Sequence, residues 1–228
     1  VLNAEADPPH VELREAVDAG GGEGHAVVGA NGAREPVLAK EAIEDGADAL
    51  ALYRRHRIDT RLVKAVKGAH TGMGAILVDR HGRNLIAVAP GANLKLSKAD
   101  LDAAAAVFQR SLIVGFQLEN DHATVYYGLR KARACGAQTF LDPAPATPLP
   151  RALYPYIDII KPNENEAARL TGITVTDAAG AEQAGRWFVR RGVRAAIITL
   201  GAAGAVRVIG NAVRRFKAPR VKAIDTTG

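Results

Sequence analysis

From residue 97 onward, short apolar runs alternate with longer segments whose apolar residues recur at helical spacing. The runs predict strands at 112–118, 139–141, 157–160, 195–200 and 221–224, and the segments predict helices at 97–108, 123–135, 164–170 and 177–190. Two further runs, 205–209 and 213–216, are joined by Gly210-Asn211, which is typical of a hairpin. Strands that alternate with helices predict an α/β fold, with a mostly parallel sheet and helices on both faces.

An earlier segment, 71–92, has the period of paired strands. Met73–Val78 and Asn84–Val88 are apolar, and Asp79-Arg80-His81-Gly82 between them is typical of a hairpin turn. A two-stranded hairpin cannot bury so many apolar side chains by itself, so we expect a second subunit, a ligand or both to cover it. Before it, residues 47–57 predict a helix, and the rest of 1–70 gives no clear pattern.

Composition and charge narrow the class of protein. The chain has 228 residues, of which 48% are hydrophobic and 24% charged, as in an ordinary globular protein. Its net charge of +6 comes from scattered Lys and Arg residues, which favours an anionic small ligand over nucleic acid. Cys135 is the single cysteine, so an intrachain disulfide and a cysteine metal cluster are excluded. No apolar run approaches the ~18 residues of a membrane span, and we expect a cytoplasmic protein with no membrane partner.

Polar or glycine-rich loops follow the predicted strands of the main sheet. Each has a purely structural explanation, since Glu119 suits a helix start and Asn163 suits an N-cap. In an open parallel sheet, however, ligands bind beyond the carboxyl ends of the strands. We therefore expect one lined crevice built from five loops, which contain Glu119, Asp142, Asn163, Gly201 and Asp225.

These loops, taken in order, resemble the motifs of the ribokinase-like (PfkB-type) carbohydrate kinases. Each motif alone is a weak signal, but together they follow the family's order and spacing over residues 60–228. The matching residues are Asn84 to Asn93, Gln117-Leu118-Glu119, Asp142-Pro143-Ala144-Pro145-Ala146, Pro162-Asn163-Glu164-Asn165-Glu166-Ala167, Leu170-Thr171-Gly172, Thr199-Leu200-Gly201-Ala202-Ala203-Gly204 and Asp225-Thr226-Thr227-Gly228.

The resemblance implies an ATP-dependent kinase that uses Mg²⁺ and a monovalent cation such as K⁺. Its acceptor would be a primary hydroxyl of a pentose, for which D-ribose is the expected sugar. Glu119 would contact the sugar, as would Asp7, Gly22 and Gly24 near the start of the chain.

The resemblance also assigns the nucleotide and metal contacts. Asn163 would reach the nucleotide phosphates, Glu166 would serve Mg²⁺, and Asp225 and Thr227 would hold the monovalent cation. The remaining ATP contacts would be Thr199, Leu200, Gly201, Ala202, Ala203 and Gly204.

The same resemblance divides the chain into three parts. Residues 1–70 would be the N-terminal part of an α/β domain, and 93–228 the part that binds nucleotide and sugar. Segment 71–92 would be a β lid that shields the sugar and pairs two subunits into a homodimer.

Two departures from the family pattern affect these expectations. The family continues Asp-Thr-Thr-Gly with Ala-Gly-Asp, whose last residue is the catalytic base, so we expect that base just beyond Gly228 and none within 1–228. The family's Gly-Gly-Lys-Gly-x-Asn sugar loop stands here as Gly21-Gly22-Glu23-Gly24-His25, without the Lys or the Asn.

Other functions stay open on the sequence. The same fold could phosphorylate deoxyribose, a ketohexose or a nucleoside, and a chain that ended at Gly228 could be a catalytically silent nucleotide-binding protein. A dinucleotide-dependent oxidoreductase is disfavoured, because no Gly-x-Gly-x-x-Gly follows a predicted strand.

Overall fold

The computed structural model describes residues 46–78 and 84–219, which fall into two compact units. The first unit contains helix α1 and strands β1 and β2, and the second contains the other elements. The elements are α1 (Gly46–Arg55), β1 (Met73–Val78), β2 (Asn84–Ala89), α2 (Lys98–Ala103), α3 (Ala105–Arg110), β3 (Ile113–Phe116), α4 (His122–Ala134), β4 (Gln138–Leu141), β5 (Ile159–Ile160), α5 (Glu164–Thr171), α6 (Ala178–Val189), β6 (Ala195–Thr199), β7 (Ala205–Ile209) and β8 (Ala212–Phe216). Short 3₁₀ segments occur at Gly91–Lys95, Arg151–Tyr156 and Gly201–Ala203.

The first unit carries the predicted hairpin. Strands β1 and β2 pair antiparallel, with Met73 opposite Ala89 and Val78 opposite Asn84. Met73 and Val88 are 42% and 54% exposed. The small antiparallel sheet is therefore confirmed, while the turn between its strands lies outside the described residues.

The second unit is built on a six-stranded sheet whose spatial order, β3-β4-β5-β6-β7-β8, is also the chain order. The first four strands are parallel, and β7 and β8 run antiparallel to their neighbours. The predicted mostly parallel sheet and the hairpin at 205–216 are both confirmed. The strand predicted at 221–224 lies outside the described residues.

A single core covers one face of this sheet. Alternate strand residues, such as Leu141, Ile160 and Ile198, are fully buried and pack with Leu129 of α4 and Phe188 of α6. The residues that alternate with these along the strands, including Phe140 and Ile197, are only half-buried.

Three element limits differ from the sequence expectation. The helix predicted at 97–108 is divided at Ala104 into α2 and α3. The strand predicted at 112–118 is shorter, and the side chains of Leu112 and Ile113 are 88% and 54% exposed rather than buried, because β3 is the edge strand of the described sheet. The strand predicted at 157–160 pairs only over Ile159–Ile160.

Candidate active site

The loops after the four parallel strands form one continuous edge. Backbone hydrogen bonds continue the pairing past the strand ends: the Leu118 N–H donates to the Ala144 carbonyl at 2.9 Å, and the Lys161 N–H donates to the Leu141 carbonyl at 3.0 Å. The Thr199 N–H likewise donates to the Pro162 carbonyl at 3.1 Å. The structure thus brings four of the five predicted loops together, and the fifth, at Asp225, lies outside the described residues.

Asn163 and Glu166 are joined by a reciprocal cap at the start of α5. The Glu166 N–H donates to Oδ1 of Asn163 at 2.9 Å, and the Asn163 N–H donates to Oε2 of Glu166 at 2.9 Å. This capping box explains why the sequence Asn-x-x-Glu starts a helix here. It leaves the amide NH₂ of Asn163 and Oε1 of Glu166 with no recorded hydrogen-bond partner among the described residues.

Groups around Glu166 act in opposite directions on the pKa of its carboxyl group. Burial raises the pKa of its carboxyl group, and the nearby negative charges of Asp142 and Glu164 raise that pKa further. The backbone N–H of Asn163 and the positive charge of Lys161 lower it. A cation placed beside Glu166 would therefore favour its ionised form.

A tight glycine turn follows β6. The Leu200 N–H donates to the Gly204 carbonyl at 2.8 Å, and the 3₁₀ segment Gly201–Ala203 lies between them. Gly204 has φ +99°, and a Cβ atom there would overlap the carbonyl oxygen of Phe216. A Cβ atom on Gly201 would lie 3.9 Å from Oε1 of Glu164, so the turn is close to the start of α5.

Asp142 and Lys161 form an ion pair across the ends of β4 and β5. Nζ of Lys161 lies 2.9 Å from Oδ2 of Asp142, with the two side chains 38% and 23% exposed. Sequence reasoning placed both residues after strands but did not pair them. The available signal was that parallel strands β4 and β5 are neighbours, so the residues just beyond them face each other.

Glu119 lies at the same edge, after β3, and is half-buried. Beside it, a cavity of about 520 Å³ is lined by apolar residues of α2 to α4 and of β3 and β4. Gln117, Asn120 and Asp142 add polar groups to that lining, but Glu119 itself does not line the cavity. The structure thus places Glu119 at the predicted edge without a recorded side-chain partner among the described residues.

The remaining predicted site residues, Asp7, Gly22, Gly24, Asp225 and Thr227, lie outside the described residues. Within 46–78 and 84–219, no three His, Cys, Asp or Glu side chains cluster in a way that could hold a metal ion. Mg²⁺ at phosphate-binding sites commonly needs only one or two carboxylates, together with phosphate oxygens and water. Glu166, with one carboxylate oxygen uncommitted, fits that requirement. None of the helices within the same ranges has the length and apolar character of a membrane span.

Comparisons with a family model, with known relatives and with solved structures all show similarity to carbohydrate kinases. Residues 43–228 match the model of the family described as pfkB family carbohydrate kinase. The chain is 35% identical to a mouse ribokinase over 202 residues, which cover 86% of this chain and 62% of the relative. It is 33% identical to the ribokinase of Staphylococcus aureus strain COL over 96% of this chain and 73% of the relative.

A deoxyribokinase of Salmonella typhi is also 33% identical, over 75% of this chain and 56% of the relative. Among solved structures, the protein titled Sa239 matches with a TM-score of 0.73 and 36% identity, over 80% of this chain and 60% of that one. Arabidopsis thaliana ribokinase complexed with ribose and ATP matches with a TM-score of 0.65 and 27% identity, over 75% of this chain and 56% of that one. The chain therefore spans somewhat over half the length of most of these proteins.

Proposed function

The chain belongs to the pfkB family of carbohydrate kinases, and on that premise we propose that the protein transfers the γ-phosphate of ATP to a primary hydroxyl of a pentose. D-ribose is the proposed sugar, because the mouse and Staphylococcus aureus relatives, which match over 86% and 96% of this chain, are ribokinases. The observation that carries the proposal is the continuous edge after β3, β4, β5 and β6, where the capping box and the glycine turn are held side by side.

The geometry of this edge suits phosphoryl transfer. That reaction depends on positioning and on neutralising charge, with little covalent chemistry for the protein to perform. The glycine turn lets backbone come close to a nucleotide, and the free amide of Asn163 can donate to a phosphate oxygen. Glu166 would hold Mg²⁺ jointly with the phosphates, and the ion would supply charge neutralisation there.

A sugar-dependent ATPase assay tests the proposal. We expect ADP release that requires D-ribose and Mg²⁺ and that produces ribose 5-phosphate. The deoxyribokinase relative supports 2-deoxyribose as a second candidate, so kcat/KM should be measured for both sugars. If no ADP is released with either pentose, with a ketohexose or with a nucleoside, the result would contradict the kinase activity and would favour a silent nucleotide-binding protein.

We predict separable roles for Glu119 and Asn163. Glu119→Gln should weaken sugar use through KM and kcat/KM by roughly 10- to 150-fold, because it removes a hydrogen bond to a charged group worth about 1.5–3 kcal/mol. The KM for ATP should change little. Asn163→Ala should instead change how the reaction rate depends on the concentrations of ATP and Mg²⁺. It should also remove about 1 kcal/mol of stability that the helix cap contributes.

Steady-state kinetics against each substrate, together with melting temperatures, decide this prediction. If both residues serve only as local caps, both variants will melt earlier and keep their kinetic constants. Equal effects of Glu119→Gln on the ATP and sugar constants would also contradict the assignment.

We also propose that the β1–β2 hairpin acts as a lid and pairs two subunits into a homodimer. Its exposed Met73 and Val88 side chains support this role, because a two-stranded hairpin is marginally stable alone. Sedimentation at micromolar concentration should give a dimer, and Val88→Lys should shift it toward monomer. A monomeric wild type with an ordered hairpin would contradict the proposal.

A further inference from the structure

The Lys161–Asp142 ion pair lies on the edge where we place the nucleotide phosphates. Both partners are fixed through their backbones: the Lys161 N–H donates to the Leu141 carbonyl, and the Asp142 N–H donates to the Phe116 carbonyl at 2.9 Å. Their side chains are nevertheless 38% and 23% exposed, so the charged ends are accessible to a ligand. The backbones of the two residues are thus fixed, while the charged ends of their side chains are accessible to a ligand.

The charges around this pair are unbalanced. Asp142 and Glu164 lie close enough to Glu166 for their negative charges to raise the pKa of its carboxyl group, so three carboxylates share this part of the edge. In the described loops after β3 to β6, at 117–121, 142–150, 161–163 and 200–204, Lys161 is the only Lys or Arg. Polyphosphate is strongly anionic, and carboxylates alone would repel it.

The start of α5 does not remove this imbalance. Its first-turn N–H groups are partly satisfied by the Asn163 side chain, and its first turn carries Glu164 and Glu166. These carboxylates oppose the attraction that the helix dipole would exert on a phosphate. A side-chain cation close to this helix start would offset that repulsion, in addition to any bound Mg²⁺.

We propose that Lys161 is a phosphate-binding residue of this chain, held in place by Asp142 until the nucleotide binds. This inference rests on the proposed kinase function and adds a contact to it. A partly exposed ion pair in water contributes little net stability, whereas an ammonium bound to phosphate makes a stronger charge-assisted hydrogen bond. Lys161 can therefore turn from Asp142 to a phosphate oxygen at small cost, while Asp142 keeps the ammonium near the edge.

Equilibrium binding by calorimetry, without sugar, tests the contact separately from turnover. Lys161→Met should weaken ATP binding by roughly 10- to 100-fold, since it removes a hydrogen bond between charged groups. Binding of adenosine, which has no phosphate, should stay unchanged. Lys161→Arg keeps the charge and should retain most of the ATP affinity.

Lys131→Met is the matched control. Lys131 also forms an ion pair, with Nζ 2.7 Å from Oδ1 of Asp102, but it lies on α4 away from the strand-end edge. Both Met variants remove one positive charge and one ion pair, so only Lys161→Met should lose ATP affinity.

The outcomes separate this inference from the proposed function. Wild-type ATP affinity in Lys161→Met, with ATP bound normally by the unsubstituted protein, would overturn the role of Lys161 alone. Equal loss of melting temperature in Lys161→Met and Asp142→Asn, with unchanged ATP affinity, would overturn it in favour of a structural ion pair. Failure of the unsubstituted protein to bind ATP would overturn the kinase proposal and this inference together.

Discussion

Replacing Asp158 with alanine should lower the free energy of unfolding by about 1–3 kcal/mol, as expected when a buried backbone donor is left without an acceptor. The Asp158 side chain is 4% exposed and pairs with Arg133 of α4. Its Oδ2 also accepts the N–H of Thr139 at 2.9 Å. Without the carboxylate, this buried N–H has no acceptor. Chemical denaturation followed by circular dichroism gives the measurement.

Asp102→Ala provides the matched comparison for Asp158→Ala. Asp102 also pairs with a cation of α4, Lys131, but its side chain is 52% exposed. Exposed ion pairs contribute little, so this variant should unfold close to the wild type. Asp158 lies at the beginning of β5, away from the strand-end loops, so ATP affinity of the folded protein should be kept in both variants. A small loss for Asp158→Ala would mean that water replaces the carboxylate.

Gly204→Ala should destabilise the protein by about 3 kcal/mol and should abolish most nucleotide affinity. The backbone of Gly204, at φ +99° and ψ −129°, is strained for any residue with a Cβ atom. That Cβ atom would also overlap the Phe216 carbonyl and lie 2.9 Å from the Ala218 nitrogen. Because the atoms that this Cβ atom would meet belong to the backbone, no side-chain rotation can relieve the overlap, and the turn itself must move. Thermal melting and ATP calorimetry measure the two effects.

Gly210→Ala separates backbone strain from steric overlap. Gly210, in the β7–β8 turn, has φ +53°, and a Cβ atom there would meet nothing within 4 Å. The left-handed conformation alone costs an alanine about 1–2 kcal/mol. Gly210→Ala should therefore be the milder variant and should bind ATP normally. Equal losses in the two variants would show that the overlap at Gly204 is relieved by a small shift.

Local features of this fold could be predicted from the sequence because they depend on neighbours in the chain. Asn163 and Glu166, and likewise Ser97 and Asp100, are three residues apart, and each pair forms a capping box. Such caps require only the residues of one helical turn. The same holds for the hairpin at 205–216, whose strands are joined by a two-residue turn. The sequence also predicts that Glu119, Asn163 and the glycine turn lie on one edge, because parallel strands align their carboxyl ends.

The tertiary structure decided the features that depend on strand order. Nothing local pairs Lys161 with Asp142, or Asp158 with Thr139, since each pair meets only when β4 and β5 lie side by side. Leu112 and Ile113 are as apolar as core residues, yet they are exposed in the described sheet because β3 is its edge strand. Hydrophobic pattern identifies a strand, but burial is set by what packs against it. The sequence therefore determined the elements and their polar loops, and the packing of neighbouring strands determined which charges meet.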